Sequence, residues 1–323
     1  MRLIHFLTIV TMANIFSCGI FDEKDDSPPF SSPIVYSNTK IIWGEDSELV
    51  EINRDLVFDH TTSLTILPGT KIQYDEGTVL IKDPAGDMLR PPVITILGDF
   101  IAEGEENDPI EFLLVGDERP SLHIDGENAS NRRIELVWVT GIGYLPIKNC
   151  SPIIRHCDIR SNYFEYCDSA NISDNQFFSI HFWYSSGLVK ANQIVSGVFS
   201  LSGSLRFESN RIGLEEKRYR GIYSSHDDVS IFVNNTIDNY EEAIYVFSGS
   251  PTFNQNNITN YDVAINIIPF SGEPESDTLN FSDNWWGSTN ESEISGKILY
   301  SRNFDTISEK IIIINPVASV PFE

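Results

Sequence analysis

A three-residue phrase, Asn followed two places later by Ile or Phe, returns through the second half of the chain about once per turn of a stacked solenoid. It reads Asn175-Gln176-Phe177, Asn192-Gln193-Ile194, Asn210-Arg211-Ile212, Asn235-Thr236-Ile237 and Asn256-Asn257-Ile258. It ends as Asn284-Trp285-Trp286, and Cys157-Asp158-Ile159 holds the same frame with Cys in place of Asn. From Cys157 onward the steps are 18, 17, 18, 25, 21 and 28 residues. Stacked supersecondary units recur in this way because each covers only its neighbours' apolar faces, whereas a single globular core has no such period.

Each later coil carries a second short strand, apolar-x-apolar or apolar-x-small. These are Ile180-His181-Phe182, Val198-Phe199-Ser200, Ile222-Tyr223-Ser224, Ile244-Tyr245-Val246 and Ile265-Asn266-Ile267. A small residue often precedes them (Gly197, Gly221, Ala243, Ala264), as expected where a chain turns a corner. Upstream, Ser63 to Ile72 is strand, Pro-Gly turn, strand; Val93 to Gly104 and Pro109 to Phe112 repeat the scheme, and Ile134 to Val139 reads as one further strand. Helical periodicity is not visible. Short strands all running the same way describe an all-β parallel β-helix with rungs about 4.8 Å apart. Its inward apolar residues form ladders, and the recurrent Asn is predicted to stack as an amide ladder at a bend.

Particular motifs sharpen this reading. Leu64 to Ile72, Gly98-Asp99-Phe100-Ile101-Ala102-Glu103-Gly104 and Asn284-Trp285-Trp286-Gly287 resemble the opening coil, second coil and closing motif of right-handed parallel β-helix proteins of the pectin-lyase-like superfold. The resemblance spans roughly residues 50–315. It implies one single-stranded β-helix domain over 34–323 with N- and C-terminal caps, the latter over about 287–323 and ending near Asn315-Pro316. That superfold hosts lyases, hydrolases and non-catalytic adhesive proteins, so the resemblance leaves activity open.

Composition bounds the partners. Hydrophobic residues at 41% are enough for a packed core. The formal charge is −25, from 22 basic against 47 acidic residues. Such a field repels nucleic acid, and it disfavours polyanionic glycans unless a divalent cation bridges the two. Its plainest role is to keep a long β-protein soluble.

Residues 1–18 read as an export signal, with Arg2 as the positive start and an apolar run from Leu3 to Ile15 too short to span a bilayer. Ile15-Phe16-Ser17-Cys18 resembles a bacterial lipobox, which implies lipidation at Cys18, a bacterial cell-envelope location outside the cytoplasm and a membrane contact through that lipid. An ordinary secretory signal cut near Ser17 or Cys18 is the alternative. Residues 19–33, acidic and Pro-containing, read as a flexible tether. The remaining cysteines, Cys150, Cys157 and Cys167, lack zinc-ligand spacing. Cys150 and Cys167 lie one coil apart, which allows a bridge; buried free thiols are the other reading.

For catalysis, pectate-type lyases of the superfold imply calcium-holding Asp residues and an Arg or Lys base, because the uronate must be neutralised before its neighbouring proton is removed. The nearest match is Asp227-Asp228 beside His226, with Arg218 and Arg220 close in sequence, and the plainer reading of it is a solvated loop of mixed charge. Glycosidases of the superfold imply Asn-Thr-Asp, Asp-Asp and Gly-His-Gly in consecutive coils. Here the first is Asn235-Thr236-Ile237, Asp227-Asp228 precedes it, and Gly-His-Gly does not occur. No metal-ligand spacing or other cofactor motif is present, so calcium enters only with the lyase alternative. For binding, the central residues of the short strands stack as His181, Phe199, Tyr223, Tyr245 and Asn266, an outward strip with Trp183 and Tyr184 at one end. Its plainer reading is mutual packing of the rings under a loop, and the functional one is a stacking platform for an extended glycan. A tight carboxylate–arginine cluster on an outer sheet would favour an enzyme, and the sequence displays none. The expectation is therefore a non-catalytic structural or binding module, with a lyase or hydrolase as the alternative.

Overall fold

A computed structural model of the chain describes residues 32–45, 48–75, 79–81, 88–113, 120–126, 132–213, 216–268, 278–300, 311–314 and 317–322. The signal and lipobox with Cys18, the tether as far as residue 31, and Asn315-Pro316 lie outside the described residues.

Among the described residues the chain winds into a parallel β-solenoid. Successive strands alternate between a ten-stranded sheet and a 16-stranded sheet, and every pairing within both is parallel. One coil shows the plan: Ala170–Ser173 lies in the narrower sheet, Gln176–Trp183 in the wider one, and Ser186–Lys190 returns to the first. The wider sheet's strands bend at mid-length. In Gln176–Trp183 the buried side chains are Phe177, Ile180 and Phe182, so the two-residue alternation slips by one at the bend and gives the coil a third face. The small residues sit at this bend. Gly197 lies inside Gln193–Leu201 at φ 153°, where a Cβ would stand 2.7 Å from the Arg220 carbonyl oxygen.

The repeated phrase builds two columns. Its apolar members, Ile159, Phe177, Ile194, Ile212, Ile237 and Ile258, pair in register and are fully buried. Its Asn members form the amide ladder. Asn192 Oδ1 accepts from Asn175 N–H at 3.0 Å and from Asn175 Nδ2 at 2.9 Å, while Asn192 Nδ2 donates back to the Ile172 carbonyl at 3.1 Å. The same set recurs at Asn210, Asn235, Asn256 and Asn284. The residue before each ladder position is left-handed: His156, Asp174, Ala191, Ser209, Asn234, Gln255 and Asp283 all have φ between 53° and 59°. For Ala191 that conformation costs about 1–2 kcal/mol, which the amide bonds of Asn192 offset.

This corner also divides the strand expected over Ile134 to Val139. Trp138 is left-handed at φ 51°, so Ile134–Val137 joins the narrower sheet and Val139–Lys148 the wider one. Trp138 occupies the corner one coil before His156, and the two rings stack at 4.4 Å. A second left-handed corner, at Asn149, Tyr166, Tyr184, Ser202 and His226, closes each coil. Inside, Phe207, Phe232, Phe253 and Phe281 stack at 4.5–5.0 Å. Beyond the last full coil, Thr278–Asn280 pairs with Ile311–Ile313, Ile298–Tyr300 covers the edge of Asn257–Ile267, and Glu291–Ser295 is one helical turn capped by Asn290.

Candidate functional site

The strip read from the sequence exists as a ladder of rings on the outer face of the wider sheet. Register places Tyr163, His181, Phe199, Tyr223, Tyr245 and Asn266 in one row. His181 stacks on Phe199 at 4.6 Å, Phe199 on Tyr223 at 5.4 Å and Tyr223 on Tyr245 at 5.1 Å, with planes within 30° of parallel. Rings stacked along the solenoid axis cover one another's faces and turn their edges outward. A sugar packs on a ring face, so the interior of this row offers hydroxyls and edges rather than a platform. Trp183 does not end the strip. It lies in the next outward row, between Glu165 and Leu201, tilted against Tyr163 at 5.5 Å and 38% exposed. Tyr184 sits on the second corner, stacked on Tyr166 at 5.1 Å.

Arg220 belongs to this ladder and not to the acidic loop. Its guanidinium lies 3.6 Å from the centroid of Tyr245 and 4.6 Å from that of Tyr219. Its Nε donates to Glu242 at 2.6 Å, and Asn266 Nδ2 donates to the other oxygen of Glu242 at 2.8 Å. Burial works against the guanidinium's charge, but the Glu242 contact outweighs it and holds the pKa above the ordinary arginine value. This is a carboxylate–arginine cluster on an outer sheet, the feature the sequence did not display. Both charges are spent on each other, which makes the pair a brace for the rings. Arg220 and Glu242 each stand three residues before a ladder tyrosine, a signal that alignment of the coils would have exposed.

The acidic loop is taken apart by the fold. Asp227 lies at the turn itself, left-handed at φ 46°, and His226 Nδ1 contacts Ser225 Oγ at 2.5 Å. Asp228 turns inward and is fully buried. Its Oδ1 accepts from Ser230 Oγ at 2.6 Å, from Ser230 N–H at 3.2 Å and from Ser200 Oγ at 3.1 Å, and its Oδ2 accepts from Ser224 Oγ at 2.7 Å. Room for the carboxylate comes from an interior column in which Phe164 and Phe182 give way to Ser200 and Ser224. Burial pushes the Asp228 carboxyl above its ordinary range, against the pull of the hydroxyls. It staples a corner and faces no solvent. Arg218 bonds Glu216 at 3.2 Å and so adds nothing to this loop. Among the described residues no group of three His, Cys, Asp or Glu is placed to hold a metal ion.

A groove the sequence reading missed lies outside the amide-ladder corner, with a volume of about 490 Å³. Ser209, Asn234 and Gln255 from the left-handed corner and Arg211 and Thr236 from the strand starts line it, and Phe322 closes one end. Phe322 is held there by Asn257, whose Oδ1 accepts from its N–H and whose Nδ2 donates to its carbonyl, both at 2.8 Å. The side chains of Ser209, Arg211, Asn234, Thr236 and Gln255 make no hydrogen bond or ion pair with any described residue. Phe322, docked across coils, lines the groove with residues of three successive corners, and the local sequence signal is confined to polar residues flanking the ladder Asn. No protein-family model, curated protein or solved structure matches this chain.

Proposed function

We propose that this protein is a non-catalytic binding solenoid, tethered outside the cytoplasm by a lipid on Cys18, and that the corner groove receives an uncharged oligosaccharide. The observation carrying this reading is the set of five polar side chains, without a hydrogen-bond or ion-pair partner among the described residues, that line the groove together with Phe322. Amides and hydroxyls match sugar hydroxyls, Arg211 adds a forked donor, and the Phe322 ring supplies a stacking surface. The cavity has the size of a small-ligand site. Its walls rise rung by rung at about 4.8 Å, close to the repeat of an extended glycan. An uncharged ligand also avoids the repulsion that a net charge of −25 imposes on polyanions.

The test is retention of residues 19–323 on a panel of immobilised polysaccharides with and without calcium, following chain cleavage in parallel. Expected is retention without cleavage, weakened about tenfold by Arg211→Ala combined with Gln255→Ala, a loss of roughly 1.4 kcal/mol. Tyr223→Ala and Tyr245→Ala should leave retention unchanged. Loss with those tyrosine variants would move the site to the ring ladder. Calcium-dependent cleavage would replace this reading with the lyase or hydrolase alternative.

A further inference from the structure

Cys150 and Cys167 cap the same corner one coil apart. Lys148 and Glu165 pair in register, and Asn149 N–H donates to the Glu165 carbonyl at 3.0 Å, so the two cysteines follow as neighbours in one column. Ser185 continues that column, its Oγ accepting from Cys167 N–H at 3.1 Å. Both thiols are buried, at 6% and 0% exposure, and Cys167 Sγ contacts the carbonyls of Ile147 and Glu165 at 3.4 and 3.7 Å. Adjacent rungs set Cα atoms about 4.8 Å apart, inside the range of about 4.4–6.8 Å that a disulfide spans. Gly126 lies against the same column in the rung below, where an added Cβ would stand 2.8 Å from the Cys150 Cβ. Cys157 lies at the opposite corner, where it heads the amide ladder and contacts the carbonyls of Leu136 and Arg155 at 3.5 and 3.2 Å.

We propose that Cys150 and Cys167 form a disulfide that staples two rungs of this corner as the coil closes, with an external disulfide as oxidant. One thiolate attacks the external disulfide, forming a mixed disulfide and releasing one thiol. The second thiolate then attacks the cysteine sulfur of the mixed bond, forming the Cys150–Cys167 bond and releasing the other thiol. The pair gives up two electrons and two protons, and the external disulfide becomes two thiols. The export proposed above would supply such an oxidant in the cell, while the geometry holds in any compartment.

Trypsin decides the matter, because cleavage after Lys148, Arg155, Arg160 and Lys190 puts Cys150, Cys157 and Cys167 on three separate peptides. The full chain is refolded with oxidised glutathione, quenched with an alkylating agent in denaturant, digested without reductant and mapped by mass. Expected is a Cys150–Cys167 linked pair, two hydrogen masses lighter than the sum of the reduced peptides, with Cys157 alkylated. Cys157→Ser should retain the link, and Cys150→Ser should leave Cys167 alkylated in a chain with the same β-sheet circular dichroism. Alkylation of all three cysteines, or a link that includes Cys157 or Cys18, would overturn the proposal.

Discussion

Asparagine plays two opposite parts in this molecule. In the ladder, Asn235 Oδ1 accepts from Asn210 N–H and Nδ2, and Asn235 Nδ2 donates to the Phe207 carbonyl and to Asn256 Oδ1. Removing that amide takes the side-chain acceptor from the buried Asn210 N–H and strips one bond each from Asn210 Nδ2, the Phe207 carbonyl and Asn256 Oδ1. Asn235→Ala is therefore expected to cost about 3 kcal/mol or more, seen as a lower guanidinium midpoint. Asn162 is equally buried, yet neither its Oδ1 nor its Nδ2 has a partner among the described residues. Register sets it between Leu145 and Ile180 in an otherwise apolar column that runs on through Val198, Ile222 and Ile244. Asn162→Leu is expected to raise stability by about 1–3 kcal/mol, since an apolar side chain of similar size removes an unpaired amide. A lower midpoint for this variant would mean that the amide is satisfied from within.

At the scale of the element, the ring ladder couples the wider sheet to pH through His181. Burial between Tyr163 and Phe199 lowers its pKa from the ordinary 6.5, so the folded chain refuses a proton that the unfolded chain accepts. Stability is fully present above pH 6.5 and declines as the pH falls from there towards the folded pKa. His123, likewise lowered by burial, adds to the decline. Asp228 acts in the opposite sense in more acidic solution. Its raised pKa lets the folded state take up a proton first, which recovers stability as the pH falls from its folded value to 3.8. His181→Phe keeps the stack and removes the imidazole. The melting temperature of this variant should therefore fall less between about pH 7.5 and about pH 5.5 than that of the parent. An unchanged slope would show that His181 is not the source.

The whole molecule is a one-dimensional stack, and its weak points are its ends. Asn257–Ile267 would present an open parallel edge if Ile298–Tyr300 did not pair with it, and Phe281 and Trp286 close the interior phenylalanine stack. A chain ending at residue 268 is expected to associate through that edge, visible by light scattering as species larger than the monomer. A monomeric truncated chain would show that the last coil protects itself. The same long-range closure makes the candidate groove, because Phe322 reaches back 65 residues to Asn257 to form its end wall.

Much of this was legible in the chain as written. The Asn-x-Ile phrase foretells both the amide ladder and the column from Ile159 to Ile258, because stacked identical environments make a local residue choice repeat. The central residues of the short strands foretell which rings share a row. The direction of the ring faces and the inward turn of Asp228 were not legible, and the pairing of Arg220 with Glu242 emerges only once the coils are aligned on Tyr223 and Tyr245. Coils of 25, 21 and 28 residues carry no constant offset from which to read neighbours. Whether a carboxylate points in or out depends on the volume that Ser200 and Ser224 vacate in other coils. Local sequence sets what each rung contains, and the register between rungs sets what those contents touch.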